Sequence, residues 1–341
     1  MLFAKDTIRS KRSISILTLI CALSVAGLAQ RRQSYIDKNP AALVDEQSVR
    51  AHMEELASDK LHGRGSGTID ELAAATYIAG QLKHYGIKPA GDNSWYIQRV
   101  DLKTQSRRDP STTLEIHTAN VVGILRGSDP RLAKQAILLS AHMDHLGYGK
   151  PVNGDHIYNG ADDDASGVTA VLELAHVLGA SPRPKRTIVF ALFGSEERGG
   201  FGATYFREHP PVPLENFVAN LEFEMIGRPD PMVAPHTLWL TGYERSDLGS
   251  VLAAHGALLV ADPHPEQNFF QRSDNYILAQ RGVIAQTVSS FGLHTDYHQP
   301  SDDLAHIDFA HMTDSIASMV KPVLWLANTS FKPHWLPGGK P

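Results

Sequence analysis

His142, Asp144, the run Asp162-Asp163-Asp164, the pair Glu196-Glu197, Glu224 and His298 are the residues whose types and spacing could do chemistry. Imidazoles and carboxylates with no thiol among them suit zinc or a related divalent ion, whereas an iron–sulfur cluster or copper(I) calls for sulfur ligands. Asp144 stands two residues after His142, placed to accept the imidazole's other N–H and so fix its tautomer. The three adjacent carboxylates at 162–164 repel one another unless cations neutralise at least one. Each stretch taken alone has a plainer reading. The aspartates could be a helix N-cap with solvated acidic neighbours, Glu196-Glu197 an acidic pair at a strand-to-helix turn, and His298 an exposed loop histidine. What favours the chemical reading is convergence, because the ligand-type stretches fall at equivalent places in successive elements.

Those places are strand ends. Residues 136–141 (AILLSA) and 187–193 (TIVFALF) read as buried strands, 217–223 as a strand with some alternation, and 120–125 and 283–290 as further strands. His142 follows the first directly, Glu196-Glu197 follow the second by two residues, and Glu224 ends the third. In open α/β sheets, sites form beyond the carboxyl ends of the strands, where loops converge. An imidazole and three carboxylates are therefore delivered to one edge. Glu222, Asp302 and Asp303 are expected to be decoys or supporting groups.

Helical patterns separate the strands. Val49, Met53 and Leu56 share one face of a segment over 45–59. Leu72, Ala75, Ala79 and Leu82 share a face over 69–85, with Gly86 as the stop. Further helices are predicted over 166–178, closed by Gly179, and over 202–209, 247–255 and 273–280. A last one starts at Asp308 as N-cap and carries Phe309, Met312, Ile316, Met319, Val320 and Val323 on its apolar side; Pro322 is expected to kink or break it. GRGSGT at 63–68 is a loop by composition, with neither the Lys-Ser/Thr nor the preceding strand of a phosphate cradle, and 92–115 carry no clean period. Strands alternating with helices predict an α/β fold: a single globular domain in three layers, its central, mostly parallel mixed sheet covered by helices on both faces.

The chain as a whole sets outer bounds. Of its 341 residues, 42% are hydrophobic, ample for a sizeable core. A formal net charge of −5, and no basic run after residue 32, give no reason to expect nucleic acid or a membrane surface as partner. The first residues differ: Lys5, Arg9, Lys11 and Arg12 precede an apolar stretch over 14–28, with small residues at 27–29. About 15 apolar residues are short of the roughly 20 that span a membrane, so 1–29 read as a signal peptide, with an uncleaved anchor as the alternative. The expected location is periplasmic or extracellular. Cys21 is the only cysteine, so a cleaved chain would have no disulfide and no thiol chemistry. Oligomeric state is not legible.

HMDHLG, NGADDDASG, FGSEERGG, EFEMIGR and DYHQPSDD, in that order, resemble the signature stretches of the two-zinc aminopeptidase family, peptidase family M28, which also includes glutamate carboxypeptidases and glutaminyl cyclases. The resemblance runs from about Ser48 to about His311. It implies that Asp163 bridges two zinc ions, through a cis peptide to Asp164. His142 and Glu224 would complete one site, and Glu197 and His298 the other. Glu196 would be the general base, Tyr297 would steady the oxyanion, and Arg272 in QRSDN would line the substrate cleft. The implied protein is an exported exopeptidase, first an aminopeptidase acting on peptides. The alternatives are a carboxypeptidase or dipeptidase, then a glutaminyl cyclase, then a non-catalytic binding protein. Glu224 stands where small secreted aminopeptidases more usually have aspartate. The short span between Val100 and Asn120 leaves no room for a protease-associated insert, so one catalytic domain over 40–331 is expected.

Overall fold

A computed structural model describes residues 39–105 and 111–341; the segment read as a signal peptide lies outside the described residues. Asp45 accepts the Ser48 amide and opens α1 (Glu46–Leu56), whose Val49, Met53 and Leu56 are buried as expected. Thr68 caps α2 (Ile69–His84) by accepting from Glu71. The buried face of α2 is Ala74, Ala75, Ile78, Ala79 and Leu82; Leu72, expected among them, is exposed, because the sheet-facing stripe is one position out of its register.

The chain then builds β1 (Lys88–Pro89), β2 (Ile97–Gln105), β3 (Thr113–Leu125) and β4 (Ala136–His142). The small antiparallel pair β5 (Gly147–Val152) and β6 (Asp155–Tyr158) stands apart from the main sheet. Next come α3 (Gly167–Ala180), β7 (Thr187–Phe193), α4 (Phe201–Glu208), β8 (Phe217–Phe223), β9 (Leu238–Leu240), α5 (Leu248–Ala254) and β10 (Leu259–Ala261). Then follow α6 (Asn275–Ala279), β11 (Ala285–Ser289) and α7 (Phe309–Asn328). α3 runs through Gly179, expected to be its stop, and the patternless stretch before residue 120 is β2 paired antiparallel with the first half of β3. α7 is capped by Asp308 as expected but is continuous through Pro322. Its buried stripe on both sides of the proline, Met319, Val320, Val323 and Leu326, holds the two halves in line against the core.

The nine-stranded sheet runs β1-β3-β7-β4-β8-β11-β9-β10, with β2 also on β3. Its centre, β7, β4, β8 and β11, is parallel; the pairings of β3 and of β9 with β11 are antiparallel. Alternation sorts the central strands into two cores. Ile137, Leu139, Ile188, Phe190 and Leu192 pack with α1, α2, α3, α5 and α7, while Leu138, Val189, Ala191 and Phe193 pack with α4 and α6. This is the expected α/β domain with helices on both faces. All four parallel strands deliver their carboxyl ends to one edge. Among the described residues no helix is long and apolar enough to cross a membrane.

Candidate metal centre

At that edge the sheet brings together the residues singled out by type. His142 is the last residue of β4, Glu224 follows β8 with its amide on Val288 O of β11, and Glu196-Glu197 lie just past β7. Three non-glycine residues have positive φ, Ser195 (56°) and Met225 (52°) just past two of these strands and His298 (56°) in the loop after β11, so the chain turns sharply at each. Asp163 lies at the centre. Its Oδ1 is 3.1 Å from His142 Nε2 and its Oδ2 is 3.2 Å from His298 Nε2, which is also 3.2 Å from Glu197 Oε2. His142, Asp163 and Glu224 can offer donor atoms within 4.8 Å of one another, and so can His145, Asp163 and Glu197.

The acidic run is divided by task. Asp162 accepts the Gly227 amide and faces His294 Nε2 at 2.9 Å, tying down the chain beyond β8. Asp164 accepts from Gly167 and Met225, which closes the N-terminus of α3 and fixes the residue after Glu224. Only Asp163 is left facing His142 and His298. The peptide between Asp163 and Asp164 is cis. Asp302 is a supporting group: its carboxylate accepts the amides of Asp162 and Asp163, whereas Asp303 merely caps an exposed turn.

Asp144 departs from expectation. His142 Nδ1 is 3.2 Å from the backbone carbonyl of Asp144 and 3.8 Å from its carboxylate. The residue does set the tautomer, but through its main chain, because the carboxylate is already committed to the Glu196 amide (2.9 Å) and to Ser66 Oγ. Asp144 therefore holds the turn that carries Glu196.

A cation fits this arrangement on chemical grounds. The carbonyl at Nδ1 requires that nitrogen to carry the proton of a neutral His142, which leaves the Nε2 lone pair aimed at a carboxylate oxygen. Neither His142 Nε2 nor His298 Nε2 makes a hydrogen bond among the described residues. Lone pairs facing carboxylates need a proton or a metal ion between them, and an imidazole–carboxylate set without thiolate is that of zinc. Burial, reinforced by Asp274, Glu224 and Glu197 against the opposing pull of His142, holds the Glu196 carboxyl well above its ordinary range. Burial likewise raises Tyr297, helped by Asp163, Glu197 and Glu224, so its hydroxyl keeps its proton.

Several contributors carried no signal in the periodicity. Arg64 is wholly buried and donates to the carbonyls of Met143, Leu56, Asn159 and Gly160, clamping the end of β4 to the loop before the acidic run. Glu71 accepts from Gly67, Thr118 and Ser195 and so braces the Glu196 turn from behind. His145 lies against Glu197. Beside the acids opens a small pocket lined by Trp239, Phe269, Phe291, Met225, Tyr297 and Arg272, among others. The first four form a small apolar cluster of their own, and Arg272 lies 4.9 Å over the Phe269 ring.

The profile of peptidase family M28 matches residues 120–322, more than half of the chain, and the chain belongs to that family. The curated relatives are described as probable zinc metalloproteases or as vacuolar membrane proteases. A probable zinc metalloprotease of Leptosphaeria maculans is 28% identical over 201 residues, 52% of this chain and 42% of the relative. A vacuolar membrane protease of Lachancea thermotolerans is 35% identical over 112 residues, 33% of this chain and 10% of the relative. The chain thus spans less than half the length of these relatives. Among solved structures, an aminopeptidase from Aneurinibacillus sp. strain AM-1 shares the fold with a TM-score of 0.64 at 15% identity, over 86% of this chain and 97% of that one. A glutaminyl cyclase from Porphyromonas gingivalis shares it at 0.62 and 16%, over 82% and 98%.

Proposed function

We propose that this chain is a two-zinc aminopeptidase that removes single residues from the N-termini of peptides. One observation carries the reading: the two oxygens of Asp163 face two different imidazoles, at 3.1 and 3.2 Å, as a bridging carboxylate must. His142, Asp163 and Glu224 would hold one ion, and Asp163, Glu197 and His298 the other. Bound zinc supplies Lewis acidity at the scissile carbonyl and lowers the pKa of water. Glu196 lines the cavity and belongs to neither ligand group. From there its carboxylate could take a proton from the attacking water and hand it to the leaving amine. Tyr297, still protonated and lining the same cavity, can donate to the oxyanion as it forms.

Arg272 at the same cavity is the observation that favours the second reading, a carboxypeptidase or dipeptidase, since a guanidinium recognises a terminal carboxylate. The test is a library of free-amine peptides digested with and without chelator, with products read by mass spectrometry. Chelator-sensitive loss of one N-terminal residue is expected. Loss from the C-terminus would hand the chain to the second reading, loss of ammonia from N-terminal glutamine would make it a cyclase, and no product from zinc-loaded protein would defeat the enzymatic reading.

The aromatic wall favours large apolar side chains. Trp239 is fixed behind it, its indole N–H on the buried Asp230 carboxylate at 3.0 Å and its ring stacked on Phe269. Trp239→Ala is expected to lower kcat/KM for N-terminal Leu or Phe by about 10-fold or more, the scale of lost apolar contact in a pocket, while N-terminal Ala changes little. Equal losses on both substrates in a competition assay would take Trp239 out of the pocket. In this reading residues 40–331 are the catalytic domain and 1–29 direct export; N-terminal sequencing of the exported protein should begin near residue 30.

A further inference from the structure

We infer that His145 is the positioning residue that aims Glu197, and that it thereby sets the affinity of the second metal position. The inference rests on the two-ion reading and deepens it. Glu197 divides its two oxygens: Oε1 is 3.0 Å from His145 Nδ1, and Oε2 is 3.2 Å from His298 Nε2. Asp163 Oδ2, at 3.2 Å from the same His298 nitrogen, is 3.9 Å from His145 Nδ1, outside hydrogen-bond range. His145 thus addresses Glu197 alone. A carboxylate acceptor at Nδ1 calls for the proton on that nitrogen, and Nε2 makes no hydrogen bond among the described residues.

The ring is held as a fixed reference. His145 is wholly buried, its amide donates to Arg64 O at 3.2 Å, and it forms a bridge with Gly65. Its imidazole lies against Gly160 (φ 59°), where a Cβ would come within 2.5 Å of the ring Cγ, so this position, two residues before the acidic run, must be glycine for the ring to sit here. His298, by contrast, has a third of its side chain exposed (34%) and stands outside any helix or strand. The second position is therefore built from one rigid and one adjustable imidazole. Deprived of the Nδ1–H, Glu197 Oε1 would face only its carboxylate neighbours, whose repulsion turns it away.

Zinc titration of the metal-free full-length protein, with stoichiometry by atomic emission, tests this directly. The wild type should take up two equivalents. His145→Ala should bind the first with unchanged affinity and the second about 10- to 100-fold more weakly, the usual effect of removing a group that orients a ligand. His145→Asn, whose amide N–H falls near the position of Nδ1, should recover most of the loss, whereas His145→Gln, with its donor one atom further out, should not. Should His145→Ala fail to fold, the contrast between Asn and Gln carries the test, with the melting of each metal-free variant as control. Two equivalents at wild-type affinities in His145→Ala, or Asn no better than Gln, would overturn the assignment and leave the two-ion reading standing. A wild type that binds a single equivalent would defeat the two-ion reading, and this assignment with it.

Discussion

Glu196→Gln is expected to bind zinc as the wild type does and to fold identically, while kcat falls by about 10²- to 10⁴-fold, the scale of general-base catalysis. The substitution is nearly isosteric and removes only the ability to accept a proton. The hydrogen bond that Glu196 makes to the Asp144 carboxylate comes from its backbone amide and survives the change. Its side chain belongs to neither cluster of candidate ligands, so no donor is lost from the metal centre. The measurement is a steady-state rate on an N-terminal Leu peptide, alongside zinc content and thermal unfolding. KM should move little, since the group acts on the water and the leaving amine. A variant that retains more than about a third of the wild-type rate would place the base elsewhere on the general-base scale, and Asp274, buried nearby with neither carboxylate oxygen hydrogen-bonded among the described residues, would be the next residue to change.

Much of this site was legible because strand ends are legible. Runs such as AILLSA and TIVFALF are buried on both faces, so a chemistry-bearing residue just after one lands on the carboxyl edge of the sheet. Where register or tertiary packing decides, the sequence said less. Leu72 lies next to the buried stripe of α2 and is exposed because the helix is turned slightly from the pattern's best fit. Pro322 weakens α7 locally, but buried contacts on both sides outweigh it. β2 and the first half of β3 are exposed on much of their surface, so they carry no strong period although they pair along their whole length.

The supporting residues were illegible for another reason. Asp144 was placed beside His142 correctly, yet adjacency could not show that its carbonyl, rather than its carboxylate, would face the imidazole. His145 sits inside HMDHLG, but what makes it matter is contact with Glu197, 52 residues away, and with Gly160. Glu71 and Arg64 come from a helix and a glycine-rich turn far upstream. In their own neighbourhoods both read as ordinary surface charges, since charged side chains are mostly exposed. Only the fold shows that one braces Ser195 and the other is wholly buried.

Arg64→Ala is expected to destabilise the metal-free protein by at least about 3 kcal/mol, enough to lower Tm by roughly 8 °C or to prevent folding. The guanidinium serves four backbone carbonyls: Met143 at 2.9 Å, Asn159 at 2.8 Å, Gly160 at 2.9 Å, and Leu56. Met143, Leu56 and Asn159 lose this partner in the interior, at about 1–3 kcal/mol per buried acceptor left unpaired, whereas the Gly160 carbonyl keeps the Ala165 amide. The residue is also a buried positive charge among Asp164, Asp302, Asp144 and Asp163, so its loss leaves those acids without compensation when zinc is removed. Arg64→Lys should restore the charge but only part of the fork, because an ammonium cannot reach carbonyls spread across a planar guanidinium. An intermediate melting temperature for Lys, measured in chelator, would separate the charge from the hydrogen bonds. Melting of the alanine variant within about 2 °C of wild type would mean that the interior at Arg64 is open to water, since a shift that small corresponds to no more than about 1 kcal/mol.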